Sequence, residues 1–314
     1  MSQQRAKELL KKLESEGKVI PGTYDKTFKY VMTNCKDYLA SILTNFIDMD
    51  KEEIKKNLVY KNTELLSDNF FEKSKTTDIV VEVDNMLLNL EMNRSYYEGL
   101  SEKNEAYLSK LRSSLYYSGE DYANKMTIQI NFDNFQMYPD DDIIMEFKIL
   151  NTKKYYEGSK TYRKYHINLE AIMKKYYNKE ELNYLEKNLL IICLDELNAL
   201  NNVSRGDDTL MEVKKNIEDL SKNLDFLLVY DEEEEREKRF KTEKYYAEKK
   251  GREEGIKEGL EKGMEKGMEK GIEKGRKNAI IETAKNLIDS GVDLEIISKS
   301  TGLSVEALNK LKNS

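Results

Sequence analysis

Asp78 and Glu91 are the two residues of this chain whose spacing most readily suggests chemistry. They lie near the two ends of the run from Thr76 to Asn93, TTDIVVEVDNMLLNLEMN. Ile79, Val81 and Val83 alternate with Val80, Glu82 and Asp84; then Met86, Leu88 and Leu90 alternate with Leu87, Asn89 and Glu91. Period two on both sides of the polar Asp84-Asn85 pair predicts a β-hairpin. Paired strands would bring Asp78 and Glu91 together at the open end, opposite the turn. Two carboxylates gathered at a sheet end can hold a hard cation such as Mg²⁺. The same two acids could also be plain solvated strand ends.

Other chemistries have little to work with. His166 is the only histidine, so Ser-His-Asp and Cys-His catalysis would both rest on it, and HExxH zinc chemistry is excluded. No Walker A or GxGxxG sequence occurs. Cys35 and Cys193 are far apart and have no ligand-type spacing. Neither a disulfide framework nor a zinc site is expected, and a reducing cytoplasm is the natural setting. Carboxylates working with a metal are what remains.

The elements that must position these acids can be read from the pattern. Of 314 residues, 35% are charged and none is tryptophan, which fits a polar chain with a long helical portion. The start, MSQQRAKELLKKLESEG, has no apolar core of a signal peptide, and no run is long enough to span a bilayer. Residues 1–20 read as a charged N-terminal segment ended by Pro21-Gly22. Helical spacing follows from Tyr24 to about Asp48, through Phe28, Val31, Met32, Leu39, Ile42, Leu43 and Phe46. A strand is expected between Lys55 and Leu66. After the hairpin a stripe of Leu100, Tyr107, Leu108, Leu111 and Leu115 predicts a helix that stops at Gly119, and 126–132 and 142–150 read as strands. This order predicts a mixed α/β layer design over 21–230, with helices from Glu180 to Tyr230.

Lys153 to Lys179 stands apart. Eight Lys or Arg face only Glu157 and Glu170, with six tyrosines interleaved, in a chain whose net charge is −7. Lys153, Lys154, Lys160, Arg163, Lys164, Lys174 and Lys175 could meet phosphates while the rings lie on sugars or bases. Alternatively, the tyrosines pack on the core and the charges are solvated.

From Asp231 to Lys277, 15 acids balance 15 bases, and glycine recurs at every fourth position from Gly251 to Gly275. The next residue is apolar in the middle repeats: Ile256, Leu260, Met264, Met268 and Ile272. Each mid-helix glycine costs roughly 1 kcal/mol against alanine. The pattern makes sense if a second helix comes close. Around the wheel the order is glycine, apolar, Glu, Lys, so a parallel pair would set the Lys flank of one helix against the Glu flank of the other. A homodimer or higher oligomer through 251–276 is expected, with a right-handed supercoil because the repeat exceeds 3.6. A flexible spacer is the other reading. Residues 278–314, where TGLS separates two short helices, read as a helix-turn-helix or a small helical hairpin; four Lys against five acids make the segment near neutral and favour a packing or oligomer cap over DNA readout.

In combination, YDKTFKYVM, TTDIVVEVDN, LNLEMN, YLSKLRSSLYYSGEDY with MTIQINFDNF, and the GREEG of the tail make the sequence resemble the PD-(D/E)XK nuclease family transposases, related to the recombination-promoting nucleases. The resemblance runs from about residue 20 to about residue 300. It implies a restriction-endonuclease-like mixed sheet flanked by helices, followed by the long C-terminal helix and the helical hairpin. It also implies Mg²⁺-dependent cleavage of DNA phosphodiesters, with Mn²⁺ as a substitute. Asp78 and Glu91 would be catalytic metal ligands, the Met92 carbonyl a third ligand, and Asp25 and Lys29 accessory residues of the opening motif. Asn93 occupies the catalytic position that the general pattern gives to lysine. Asparagine can hydrogen-bond water but carries no charge. Lys75, near the entry to Asp78, is one substitute cation; Arg94 should point to the opposite face. Alternatively, the chain is a catalytically impaired descendant that acts as an oligomeric DNA- or protein-binding module.

Overall fold

A computed structural model of the chain describes residues 3–61, 64–65, 75–76, 78–113, 125–139, 142–230 and 232–312. The elements begin with helices α1 (Gln3–Glu16), α2 (Asp25–Asn34), α3 (Lys36–Leu43) and α4 (Lys51–Asn57). Strand β1 (Leu58–Tyr60), the short pair β2 (Glu64–Leu65) and β3 (Lys75–Thr76), β4 (Ile79–Val83) and β5 (Met86–Asn93) follow. Helix α5 (Leu100–Ser113) leads to β6 (Met126–Asp133), β7 (Ile144–Phe147) and β8 (Tyr162–Asn168). Five helices come next: α6 (Leu169–Tyr177), α7 (Tyr184–Cys193), α8 (Leu197–Ser204), α9 (Asp208–Lys222) and α10 (Leu224–Val229). The chain ends in α11 (Glu232–Asp289), α12 (Leu294–Thr301) and α13 (Val305–Lys312). It divides into two compact units, Met1–Tyr245 and Tyr246–Ser314. Among the described residues no helix is long and apolar enough to cross a membrane.

The first unit is built on a six-stranded mixed sheet in the order β1-β4-β5-β6-β8-β7. The hairpin forms as its alternation requires: β4 and β5 are antiparallel, and Asp84 takes the left-handed conformation (φ 51°) at the turn. β6 and β8 then run parallel to β5, while β1 and β7 close the edges antiparallel.

One face of the sheet is apolar. Ile79, Val81, Leu88, Leu90, Ile128, Ile130, Phe132 and Ile167 are buried in the main core beside residues of α2, α3, α7 and α9. The stretch from Tyr24 to Asp48, expected as continuous helix, is α2 and α3 with a break at Cys35 (φ −104°, ψ 74°). The break lets Phe28, Val31 and Met32 share one core with Leu39, Ile42 and Leu43. Local caps fix the later helices: Asn183 and Glu186 form a capping box on α7, and Asp207 accepts from Leu210 N–H on α9. Such caps contribute about 1 kcal/mol each. The N-terminal segment joins this unit, with Ala6 and Leu9 of α1 packed against Phe226 and Leu227 of α10.

The opposite face is polar, yet it is just as deeply buried. The register stacks Asn89, Gln129 and Lys164 in one row, then Glu91, Asn131 and His166, then Asn93, Asp133 and Asn168. None of the nine is more than 6% exposed. Helix α5 lies over part of this face, and the rings of Tyr138 and Phe147 stand edge-on to His166. Leu111 of α5 clusters with Val80 and Leu87, and Glu105 of α5 accepts from Tyr162 Oη and Lys164 Nζ. The expected end of this helix, at Leu115 and Gly119, lies outside the described residues. Of the strand expected over 142–150, Ile144–Phe147 forms β7, and Leu150 makes an isolated bridge to Glu157.

In the second unit Ala284, Ile297 and Leu308 bring the end of α11, α12 and α13 onto one small core. Gly291 (φ 77°) ends α11, and Ser304 Oγ accepts from Ala307 N–H to cap α13. Ile256, Leu260, Met264, Met268 and Ile272 are 61–69% exposed along α11. A Cβ at any of the seven repeat glycines would meet nothing within 4 Å.

Candidate active site

The hairpin sets Ile79 opposite Leu90, so Asp78, one residue earlier, stands on the rung of Glu91. Each strand's backbone holds the other's acid. Asp78 N–H donates to Glu91 Oε1 at 3.3 Å, and Met92 N–H donates to Asp78 Oδ2 at 2.8 Å. Asn89 Nδ2 adds a second bond to Glu91 Oε1 at 3.2 Å. The remaining oxygens face lysines. Lys29 Nζ of α2 lies 3.2 Å from Asp78 Oδ1, and Lys103 Nζ of α5 lies 4.0 Å from Glu91 Oε2.

Burial and the neighbouring Asp78 carboxylate push Glu91 up to about 8, against the pull of Lys103 and the two bonds to Oε1. Glu91, buried and beside a second carboxylate, forms with Asp78 a donor set whose crowded charge a divalent cation would relieve. Among the described residues no group of three or more His, Cys, Asp or Glu side chains could hold a metal ion. That still fits Mg²⁺, which keeps several waters and uses one or two carboxylates. Asp78 and Glu91 would hold it, with the Met92 carbonyl as the third protein ligand.

The other expected residues sort by position. Lys29 reaches Asp78; Asp25 instead pairs with Arg94, whose guanidinium lies over the Tyr24 ring at 4.7 Å. Lys75 lies in β3, and its side chain lies outside the described residues. Asn93 does not face an open site. It is 3% exposed, and its Nδ2 donates to Asp133 Oδ1 at 2.7 Å. Asp133 Oδ2 in turn lies 2.7 Å from His166 Nδ1, and Asn131 Nδ2 lies 3.4 Å from His166 Nε2. With both ring nitrogens engaged and 1% exposure, His166 belongs to the interior of the protein.

The cationic window splits in two. Lys153, Lys154, Lys160 and Lys174 are exposed. Lys164 must be removed from the expected phosphate contacts: it is 6% exposed and bonded to Glu105, because alternation in β8 turns it to the face under α5. Arg163 is also held back, by Glu146 and Glu157, and Lys175 by Glu186 at 2.6 Å. Sequence reading missed the buried polar rows and Lys103. The alternation of Thr127, Gln129, Asn131 and Asp133 marks one face of a strand, but does not say that a helix covers it.

Compared with models of known families, with curated proteins and with solved structures, the chain matches none of them.

Proposed function

We propose that the chain is a Mg²⁺-dependent DNA endonuclease of the PD-(D/E)XK transposase type, on a restriction-endonuclease-like core. The observation that carries this reading is the pairing of Asp78 and Glu91 on one rung at the open end of a central hairpin, each carboxylate held by the other strand's backbone. In the reaction, water adds to phosphorus, the P–O bond to the leaving sugar oxygen breaks with its electron pair, and that oxygen takes up a proton. Bound Mg²⁺ would lower the pKa of water and offset phosphate charge. The protein's part is to orient: Asn89 and the Asp78 N–H fix Glu91, while Met92 N–H and Lys29 fix Asp78.

Lys153, Lys154, Lys160 and Lys174 would carry the DNA backbone, and residues 251–276 would join two copies in parallel. The test is plasmid cleavage in Mg²⁺ or Mn²⁺ by the full chain, Asp78→Asn and Glu91→Gln. Cleavage by the native chain alone supports the reading; equal cleavage by all three sinks the assignment.

A second reading is favoured by one observation, the commitment of Asn93 to Asp133. It makes the chain a binding module descended from such a nuclease, which would bind DNA but leave plasmid uncut in either metal.

A further inference from the structure

The (D/E)-x-K pattern puts a cation on the same sheet face as its second acid, two residues later. Here residue 93 is asparagine, and its amide is spent on the buried Asp133. That side of Glu91 nevertheless has a cation. Lys103 stands in the first turn of α5, the helix that covers this face, and its Nζ lies 4.0 Å from Glu91 Oε2. Tyr107, one turn later, sits under it with the ring centroid 5.0 Å from Nζ. The side chain is 36% exposed, so its ammonium group can reach Glu91 and the solvent-facing side of the site together. Lys29 comes from elsewhere: α2 packs on the apolar face, where Phe28 meets Phe132 at 5.1 Å, and Lys29 pairs with Asp78. Arg94 is turned away towards Asp25 and Tyr24.

The geometry points to Lys103 as the catalytic cation of this site, supplied by the covering helix in place of residue 93 and set to bind the attacking water and a non-bridging phosphate oxygen beside Glu91. This rests on the nuclease reading and adds a residue to it. The ammonium donates hydrogen bonds and keeps its protons, so the atom balance of the hydrolysis is unchanged. Asn93 then needs no charge, and the departure from the pattern is a relocation.

The experiment uses the full-length protein with Lys103→Met, Lys103→Gln and Lys103→Arg. Three quantities are measured: single-turnover plasmid cleavage in Mg²⁺, DNA affinity without divalent metal, and Mn²⁺ affinity by calorimetry. Lys103→Met and Lys103→Gln should cleave about 100-fold more slowly, the usual loss for one preorganised donor. Their DNA affinity should stay within about threefold, since one phosphate contact at most is lost. Lys103→Arg should recover at least a tenfold share of the rate, because it restores the charge. Mn²⁺ should bind several-fold more tightly to Lys103→Met, because a like charge beside Glu91 is gone. Native cleavage matched by Lys103→Met overturns the assignment and leaves the nuclease reading standing. A native chain that cuts nothing in Mg²⁺ or Mn²⁺ overturns both. Unchanged Mn²⁺ affinity in Lys103→Met and Lys103→Gln overturns the placement of Lys103 at the metal, whatever the cleavage shows.

Discussion

Asn93 Nδ2 donates to Asp133 Oδ1 at 2.7 Å, and the other oxygen of Asp133 lies 2.7 Å from His166 Nδ1, which ties β5, β6 and β8 together in the interior. This link is structural in character, and its removal should be read in stability. Asn93→Ala leaves a buried carboxylate oxygen without its donor and should cost about 1–3 kcal/mol. Urea unfolding monitored by circular dichroism measures it. A loss below about 0.5 kcal/mol, the range of an ordinary surface change, would mean that the bond contributes little.

The raised pKa of Glu91 sets a sign for the pH dependence of stability. An acid held near 8 in the folded chain and near 4.5 when unfolded keeps its proton longer in the folded state. Its favourable contribution is complete below about 4.5 and is lost as pH rises through about 8. In EDTA the melting temperature should therefore fall between pH 5 and pH 8 by a few degrees more than in Glu91→Gln, whose amide has no proton to lose. On the nuclease reading, Mg²⁺ held by the two carboxylates would reverse the difference at pH 8. Parallel melting curves of the two chains across this range would contradict the shift.

The glycine repeat should respond in a direction opposite to helix propensity. Gly263→Ala with Gly267→Ala should strengthen an isolated helix by roughly 1 kcal/mol per site. A Cβ at either position meets nothing within the chain itself. If two helices approach along this stripe, larger side chains must separate them, so Gly263→Leu with Gly267→Leu should dissociate the assembly while helix content is kept. Sedimentation equilibrium decides it, and an unchanged mass in the leucine variant places association elsewhere.

The cations of the 153–175 window should divide by accessibility. If the chain binds DNA as proposed, a combined Lys153→Ala, Lys154→Ala, Lys160→Ala variant should weaken that binding about uniformly across sequences and lower the salt slope by about 0.9 per contact removed. Lys164→Met should leave DNA affinity unchanged and cost about 1 kcal/mol of stability at most, because its partner Glu105 is 45% exposed. Anisotropy titrations at several salt concentrations separate the two effects, and a lowered salt slope in Lys164→Met would show that the residue does reach DNA.

Much of the candidate site was legible locally. Strand alternation on either side of Asp84-Asn85 was enough to place Asp78 and Glu91 together, since register in a hairpin follows from period two and a tight turn. Short-range signals also located the helix end at Gly291 and the cap at Ser304.

What the tertiary structure alone decided concerns which faces are covered. Thr127, Gln129, Asn131 and Asp133 alternate as a solvated strand would, yet they are buried, because a helix lying on a sheet excludes water from whatever lies beneath it. The same covering turned Lys164 inward and brought Lys103, ten residues beyond Asn93, to the side of Glu91. Local sequence determines the period and the turn. Which charge meets which acid depends on the docking of α2 and α5, long-range packing choices that no neighbouring residue encodes.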